Sequence, residues 1–479
     1  MHISLKPNIL FLLIDGLRSD RCYGNKKTSV TPHIDSLIQN GLYFNQAICS
    51  APVTFTALSS LFTGLHASEA VILNDEIFTI NQKRKNYVEH LKENDYTTYA
   101  FLSESAYMGP GQIFKENVYK YPYTDTLFNG NGKLIVEKLK ANSLKEPWFY
   151  YLHFYDLYVS SVFESDVAGS KELNNKKYGN NKYERILSAM DVWIGKILDN
   201  VDLNNTLVIL TADHATERGD YDSNLEEYAA SCQKIRTSWK PNPISRSVTA
   251  KKILKILQPM KTYMAKSYSR RRSKIVKDRI QPEIEKIENE DLSPYYKRLK
   301  KSAAMIVYGT FDDRFHIPLC FSGFGITSKH IISDQVRSID IFPTIMDIID
   351  LKDIHDVRGR SLLPYLEGKK MNEVPVLIES ISSSLNILTT NSVGIRTSEY
   401  KYFRDKNKST KNVHLYDLIK DHLEERNLAG RLPDVVKKME NTLNEIQSQK
   451  LFDYEKSNEL NDDETQNIEK ELRKLGYIN

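Results

Sequence analysis

Two apolar runs dominate the hydrophobic pattern of the chain, and charged side chains follow both of them. The first run is Asn8–Ile14, after which comes Asp15, and the second is 207–212, after which come Asp213 and His214. Runs rich in Val, Ile and Leu with little alternation are typical of strands buried in a parallel sheet. Ligands bind beyond the carboxyl ends of such strands. We therefore predict that the two acids and the imidazole share a site for a divalent metal ion.

Apolar runs and helical patterns alternate through the first 220 residues. Helices are predicted over 86–95 and 183–200, and further strands over 97–102 and 148–153. Strands that alternate with helices indicate an α/β fold in which helices flank a mostly parallel central sheet.

The pattern changes after residue 371, where short strands follow one another. Segments 393–397 and 400–404 predict a hairpin. The predicted organisation is a main α/β domain (1–371) with an insertion (221–305), a small antiparallel C-terminal subdomain (372–430) and a charged helical tail (431–479). Gly476 is expected to end the last helix of the tail, predicted over 463–475.

Thr54 opens a further helical pattern, over 54–64. The free N–H groups and the dipole of a helix N-terminus attract anions. A hydroxyl placed there, beside a metal ion, suits a nucleophile that attacks an anionic ester. The alternative is that Thr54 only caps the helix.

The order and spacing of short motifs along the chain resemble the sulfatase branch of the alkaline phosphatase superfamily. These motifs lie at 8–16, 31–37, 41–45, 54–64, 211–214, 316–319, 340–344, 359–364, 394–402 and 415–418. The resemblance implies an alkaline phosphatase-like sandwich. It also implies one divalent metal ion (Ca, Mn or Zn) held by Asp15, Thr54, Asp213 and His214, and hydrolysis or transfer of a sulfate or phosphate ester.

Thr54 departs from the common sulfatase pattern. Sulfatases of that type carry Cys or Ser here, within Cys/Ser-x-Pro-x-Arg, and oxidise it to formylglycine, whereas segment 54–58 reads Thr-Phe-Thr-Ala-Leu. A threonine here is similar to the phosphodiesterase-like and phosphotransferase-like members, which form a phosphothreonine. The resemblance therefore favours phosphate esters over sulfate esters.

The residues expected around the substrate have also changed. His153 keeps its family position, but Tyr158 replaces a second family histidine. His316 is the best remaining imidazole for the substrate or leaving group, and Arg18 is a candidate for neutralising the anion. These changes leave an alternative open, namely a binding protein of glycan or surface-polymer metabolism that kept the fold and lost turnover.

Charge and cysteine content bear on location and partners. The net charge is only +4, and four scattered cysteines suit a reducing compartment. With no leader sequence and no spanning run evident, we predict a cytoplasmic protein.

The insertion carries most of the unusual charge. Segment 246–279 holds 12 Lys or Arg against the single acid Asp278, and an apolar stripe runs from Ile253 to Met264. We expect it to cover the mouth of the site or, alternatively, to contact the inner membrane face or another polyanion. The expected substrate is an anionic ester, glycan- or lipid-linked, and no nucleic acid partner is expected.

Overall fold

The computed structural model describes residues 6–449, apart from 75–76, 82, 84, 108, 123, 163–173, 238–277, 279–280, 306–308, 328, 352–353, 355 and 382–390. The strands within these residues are β1 (Asn8–Ile14), β2 (Gly41–Ile48), β3 (Val71–Asn74), β4 (Ile77–Ile80), β5 (Thr97–Ser103), β6 (Val118–Tyr121), β7 (Trp148–Phe154), β8 (Thr206–Thr211), β9 (His316–Gly323), β10 (His330–Ile332), β11 (Val336–Arg337), β12 (Val376–Ser380), β13 (Ser392–Arg396), β14 (Tyr400–Asp405) and β15 (His414–Asp417). The helices are α1 (Ser19–Cys22), α2 (Pro32–Gln39), α3 (Thr54–Thr63), α4 (Ala67–Ala70), α5 (Tyr87–Glu93), α6 (Glu104–Tyr107), α7 (Asn131–Lys140), α8 (Asp156–Val162), α9 (Lys182–Leu198), α10 (Ser223–Thr237), α11 (Pro294–Met305), α12 (Asp312–Phe315), α13 (Ile341–Ile348), α14 (Leu363–Leu366) and α15 (Pro433–Ser448).

The central sheet has the strand order β10-β2-β9-β8-β1-β7-β5-β6, and β11 also pairs with β2. Every pairing in it is parallel except the two made by β9, which runs antiparallel to β8 and to β2. The predicted α/β fold with a mostly parallel central sheet is therefore confirmed. The reversed direction of β9 matters for the site, because it brings the start of β9 to the edge where its parallel neighbours end.

An aromatic cluster holds helix α3 against the middle of the sheet. All seven residues of β1 are buried, and the ring of Phe11 lies 5.6 Å from that of Tyr151 on β7. Phe62 of α3 lies 5.5 Å from both Tyr151 and Tyr87, measured between ring centroids. Because this core is closely packed, the first turn of α3 has a defined position above the end of β1.

Gly64 ends α3 in the left-handed conformation (φ +67°) that favours glycine. Its carbonyl oxygen accepts hydrogen bonds from the N–H groups of Arg358 and Gly359, at 2.8 and 3.2 Å. A Cβ added here would lie 2.9 Å from the ring of Phe342. The C-terminal end of α3 is thus held by hydrogen bonds and close packing, in addition to the contacts of its apolar face.

The C-terminal sheet has the order β12-β13-β14-β15 and is antiparallel throughout. Its hairpin pairs Ile395 with Tyr402, as the sequence predicts. Helix α15 covers one face of the sheet, where Met439 and Leu443 pack against Tyr402. The small antiparallel subdomain is therefore confirmed, whereas the predicted helix 463–475 lies outside the described residues.

The insertion contributes a helical layer. Helices α10 and α11 pack together through a cluster that contains Leu225, Ala229, Leu299 and Ala303, and residues 281–289 are also helical. The basic segment 246–279, with its apolar stripe, lies outside the described residues except for Asp278. Among the helices that are described, none is long and apolar enough to span a membrane.

A buried lysine joins the C-terminal sheet to the main domain. Lys401 of β14 is 0% exposed, and its Nζ lies 2.8 Å from Asp312 Oδ1 and 3.1 Å from Glu424 Oε1. Arg396 of β13 also donates to Asp312, through its Nη2 at 2.8 Å. Removing one member of a buried ion-pair group leaves uncompensated charge, which is strongly destabilising.

We expect Lys401→Met to lower the free energy of unfolding by about 3 kcal/mol or more, because Asp312 and Glu424 lose a buried positive partner. Urea denaturation followed by circular dichroism measures the change. Lys420→Met is the matched control, since Lys420 pairs with Asp417 at 3.0 Å but is 82% exposed. Equal stability of the two variants would show that Lys401 does not anchor the sheet.

Candidate metal centre and active-site cavity

The strand registers bring three metal-binding side chains to one face of the sheet. Leu13 of β1 is aligned with His153 of β7 and with Thr211 of β8. Asp15 and Asp213 follow Leu13 and Thr211 by two residues, and strand side chains alternate with a period of two. One ligand atom from each of Asp15, His153 and Asp213 can be chosen such that all three lie within 4.8 Å of one another.

The electrostatics of this cluster fit a bound cation. Asp15, His153 and Asp213 are all buried. Within the described part of the chain, neither Asp213 carboxylate oxygen nor His153 Nε2 has a hydrogen-bond partner. Burial, and then the charge of Asp213, raise the pKa of Asp15 well above its usual value. Burial lowers the pKa of His153 to about 4, which keeps its ring neutral as metal ligation requires. A divalent cation would satisfy the Asp213 oxygens and His153 Nε2, which are buried and have no hydrogen-bond partner among the described residues.

Thr54 lies beside this cluster at the first turn of α3. Its Oγ1 donates to Asp15 Oδ2 at 3.1 Å and lies 3.1 Å from His214 Nε2. The N-cap residue of α3 is Val53, and no side-chain bond caps the helix. The alternative role of Thr54 as a cap is therefore not what the structure shows.

A backbone contact determines which ring nitrogen of His214 carries the proton. His214 Nδ1 lies 2.9 Å from the carbonyl oxygen of Ala215. A carbonyl only accepts hydrogen bonds, so Nδ1 is the donor. Burial lowers the pKa of His214, which favours the neutral ring. In that tautomer Nε2 accepts, so the Thr54 hydroxyl faces two acceptors, Asp15 and His214.

A cavity of about 440 Å³ opens above Thr54. Its lining residues are Asp15, Gly16, Val53, Thr54, Ser105, Tyr155, Leu157, Tyr158, His214, Thr216, Glu217, Arg218 and Arg314. The cavity is large enough for a small anionic ester, and the hydroxyl, both acceptors and the start of α3 meet there.

Sequence reasoning missed Arg314, which lines this cavity. The residue is buried and lies two positions before β9. His316, the first residue of β9, pairs with Ile48 at the end of β2, so the start of β9 lies at the carboxyl edge of the parallel strands. The sequence does show a charged residue beside the apolar run of β9. It does not show that β9 runs antiparallel to its neighbours, which is what places Arg314 at this edge.

Two predicted residues lie elsewhere. His316 and Arg18 line a neighbouring cavity of about 470 Å³, not the one that contains Thr54. Arg18 pairs with Asp20 at 2.8 Å and with Asp220 at 2.6 Å, and His316 Nε2 donates to the carbonyl oxygen of Asn45 at 2.6 Å. The structure thus does not bring them to Thr54, and their predicted catalytic roles stay predictions.

His153 is placed differently from its predicted role beside the substrate. It lies below the cavity, in the cluster with Asp15 and Asp213. His214, predicted as a metal ligand, has its Nε2 3.1 Å from Thr54 Oγ1 and 3.5 Å from Asp213 Oδ2. Both imidazoles are therefore candidates for the metal.

Two family models match the chain. The one described as Sulfatase matches residues 7–351, and the one described as N-sulphoglucosamine sulphohydrolase, C-terminal, matches residues 308–449. The first covers well over half of the sequence. The chain belongs to the sulfatase family, within the alkaline phosphatase superfamily.

Individual relatives are more distant. Arylsulfatase K of Gallus gallus is 30% identical over 144 residues, which are 28% of this chain and 26% of that protein. The match thus spans about a quarter of the relative's length. A putative sulfatase, yidJ, from Bacteroides fragilis has a TM-score of 0.61 at 14% identity and covers 94% of this chain and 96% of its own. A phosphonate monoester hydrolase of Agrobacterium radiobacter has a TM-score of 0.59 at 15% identity, with 92% and 96% covered. These structures confirm the predicted alkaline phosphatase-like fold.

We expect the purified protein to hold one divalent metal ion per chain and Asp213→Ala to lose it, because that variant removes a buried carboxylate of the cluster. Elemental analysis by mass spectrometry measures the metal content. Asp95→Ala is the control, since Asp95 is 88% exposed and pairs only with Lys6 among the salt bridges described. Full metal content in Asp213→Ala would contradict the assignment.

His153→Gln and His214→Gln separate the two imidazoles in the same assay. Loss of metal in the first variant alone would assign His153 as the ligand, as the burial of its unpartnered nitrogen suggests. Loss in the second alone would assign His214, as the family pattern implies.

Proposed function

We propose that the protein is a metal-dependent hydrolase or transferase of an anionic ester, with Thr54 as the nucleophile. The observation that carries this proposal is the Thr54 hydroxyl, which faces Asp15 and His214 at 3.1 Å each within a cavity. Membership of the sulfatase family supports ester hydrolysis as the reaction class.

Asp15 and Asp213 would hold the metal ion, with Thr54 and one or both of His153 and His214 completing the set. A divalent cation bound there (Ca, Mn or Zn) polarises an ester oxygen and lowers the pKa of the nearby hydroxyl. The unpartnered oxygens of Asp213 are what this proposal explains best.

The chain's own residues account for the transfer step. Thr54 Oγ1 forms a bond to phosphorus or sulfur, while the ester oxygen leaves with the electron pair of the broken bond. Asp15 Oδ2 would accept the Thr54 proton, and His214 Nε2 is a second acceptor if His153 is the imidazole that holds the metal. The first N–H groups of α3 stabilise the negative charge. Water, or an acceptor hydroxyl in a transferase, then attacks the threonine ester and restores Thr54.

Thr54 favours phosphate over sulfate esters in this proposal. The similar proteins include both an arylsulfatase and a phosphonate monoester hydrolase, so the fold alone does not distinguish sulfate from phosphate esters. An unmodified threonine lacks the aldehyde of a formylglycine, and it resembles the members that form a phosphothreonine. Aryl phosphate monoester, diester and sulfate substrates, tested side by side, discriminate between these chemistries.

We expect Thr54→Ala to keep its bound metal and its fold but to lose activity by on the order of 10³-fold or more, because the nucleophile is gone. Thr54→Ser retains measurable turnover, because the hydroxyl remains. Thr56→Ala is the matched control on the same helix turn, where the hydroxyl donates to the Val53 carbonyl at 3.1 Å.

Thr54→Ala and the wild-type protein also test the alternative functions. Wild-type rates in Thr54→Ala would mean that another nucleophile acts. Absence of turnover in a wild-type protein with full metal content, on all three substrates, would favour the binding-protein alternative.

The cytoplasmic location and a contact with the inner membrane face are also proposed, on sequence grounds alone. Segment 246–279 has 12 positive residues against one acid, and each Lys or Arg near an anionic surface contributes about 1 kcal/mol. Such a contact would place the enzyme beside a glycan- or lipid-linked ester.

We expect the protein to co-sediment with anionic vesicles but not neutral ones, and high salt to weaken the binding because it screens the charges. Replacing Arg270, Arg271 and Arg272 by Gln reduces co-sedimentation without affecting turnover of a small soluble ester. If the protein binds neutral vesicles equally well, or binds no vesicles at low salt, the membrane contact is wrong. The alternative that segment 246–279 covers the mouth of the site would then remain.

A further inference from the structure

A short polar chain links the insertion to the cavity above Thr54. Ser302 of α11 donates to Glu217 Oε1, and Arg314 Nη1 donates to Glu217 Oε2 at 2.8 Å. Glu217 follows His214 by three residues, whereas Ser302 belongs to the insertion predicted over 221–305. The insertion is therefore in direct contact with a residue of the cavity wall.

The ion pair within this chain is buried. The side chains of Arg314 and Glu217 are 6% and 7% exposed. Burial alone would raise the pKa of Glu217, but the Arg314 charge and the hydrogen bonds from Ser302 and Arg314 lower it to about 2. Glu217 is thus ionised throughout the physiological range and is a permanent partner for the guanidinium.

Arg314 is held from more than one side. Its Nη2 donates to the carbonyl oxygen of Pro52 at 2.9 Å, two residues before Thr54. Its own carbonyl oxygen accepts from the Ala215 N–H at 2.9 Å. The segments that carry Thr54 and His214 therefore both contact Arg314, the first through its guanidinium and the second through its backbone.

A purely structural role would not require Arg314 to face the cavity, yet it lines the cavity together with Thr54, Asp15 and His214. A planar guanidinium matches the oxygens of sulfate and phosphate, and charge-assisted hydrogen bonds of this kind are among the stronger ones in proteins. Its positive charge also acts on the pKa values of Asp15 and His214, lowering both.

We propose that Arg314 binds a non-reacting oxygen of the substrate's sulfate or phosphate group, and that Glu217 and Ser302 are positioning residues that orient it. The inference rests on the proposed function and adds to it a residue for anion recognition. It also connects the insertion to the site, because Ser302 bonds to Glu217, Glu217 bonds to Arg314, and Arg314 would bind the anion.

Titration calorimetry of the full-length protein with inorganic phosphate and inorganic sulfate tests this proposal. We expect Arg314→Met to weaken anion binding by about tenfold or more, which is the usual effect of removing a charge-assisted hydrogen bond. Arg314→Lys keeps the charge and recovers part of the affinity. Ser302→Ala and Glu217→Gln cause smaller losses, because they disturb orientation only. Ser231→Ala, on α10 of the same insertion, is the matched control.

Steady-state kinetics distinguish a positioning role of Ser302 from a purely structural one, because a structural role would change stability and leave KM unchanged. Ser302→Ala raises KM and lowers kcat/KM, with thermal stability close to wild type, and the effect is absent in Ser231→Ala. Equal anion affinity in folded Arg314→Met and wild type would overturn the proposal. If Arg314→Met does not fold, Arg314→Lys and Glu217→Gln decide, and unchanged anion binding in both would overturn it equally.

The outcomes for Thr54 and Arg314 are separable. Thr54→Ala should lose turnover but still bind phosphate, because the guanidinium is intact. If the wild-type protein shows no turnover but binds the anion, and Arg314→Met weakens that binding, the proposed function is wrong and the inference about Arg314 holds. If Thr54→Ala loses turnover but Arg314→Met binds the anion as tightly as wild type, only the inference about Arg314 is wrong.

Discussion

Asp15 and Asp213 are buried side by side, and like charges repel strongly where water is excluded. Burial, and after it the charge of Asp213, raise the pKa of Asp15 well above its usual value. Such an arrangement is stable only if positive charge is supplied nearby, by a bound cation, by a proton or by a basic side chain. The neutral ring of His153 beside the acids adds a ligand without adding charge, and the guanidinium of Arg314 lowers the pKa of Asp15 in part.

The rest of the fold keeps this pair in place. The registers of β1, β7 and β8 set the spacing of the ligands, and the aromatic cluster around Phe62 holds α3 so that the Thr54 hydroxyl reaches Asp15. A one-residue slip of any of these strands would turn a ligand to the opposite face. The relative positions of these side chains are therefore set by strand pairing and by core packing.

The sequence predicted those parts of the structure that depend on local pattern. The apolar strands before Asp15 and Asp213, the helix that starts at Thr54 and the C-terminal hairpin all follow from hydrophobic period and turn residues. The place of His153 among the metal-binding groups depends on the alignment of β7 with β1, which no local pattern encodes. Arg18 lies outside the cavity because Asp220, which is distant in sequence, pairs with it. The position of Arg314 in the cavity wall could not be predicted, because the direction of β9 cannot be read from its composition.

The buried contacts of Lys401 with Asp312 and Glu424 have a consequence for protein synthesis. Helix α12 contains both Asp312 and Arg314. Thr54, Asp15 and Asp213 are synthesised in the first half of translation, whereas Lys401, which pairs with Asp312 of α12, follows nearly 200 residues after Asp213. The guanidinium of Arg314, whose charge lowers the pKa of Asp15, therefore reaches its final surroundings only after the C-terminal sheet has been synthesised.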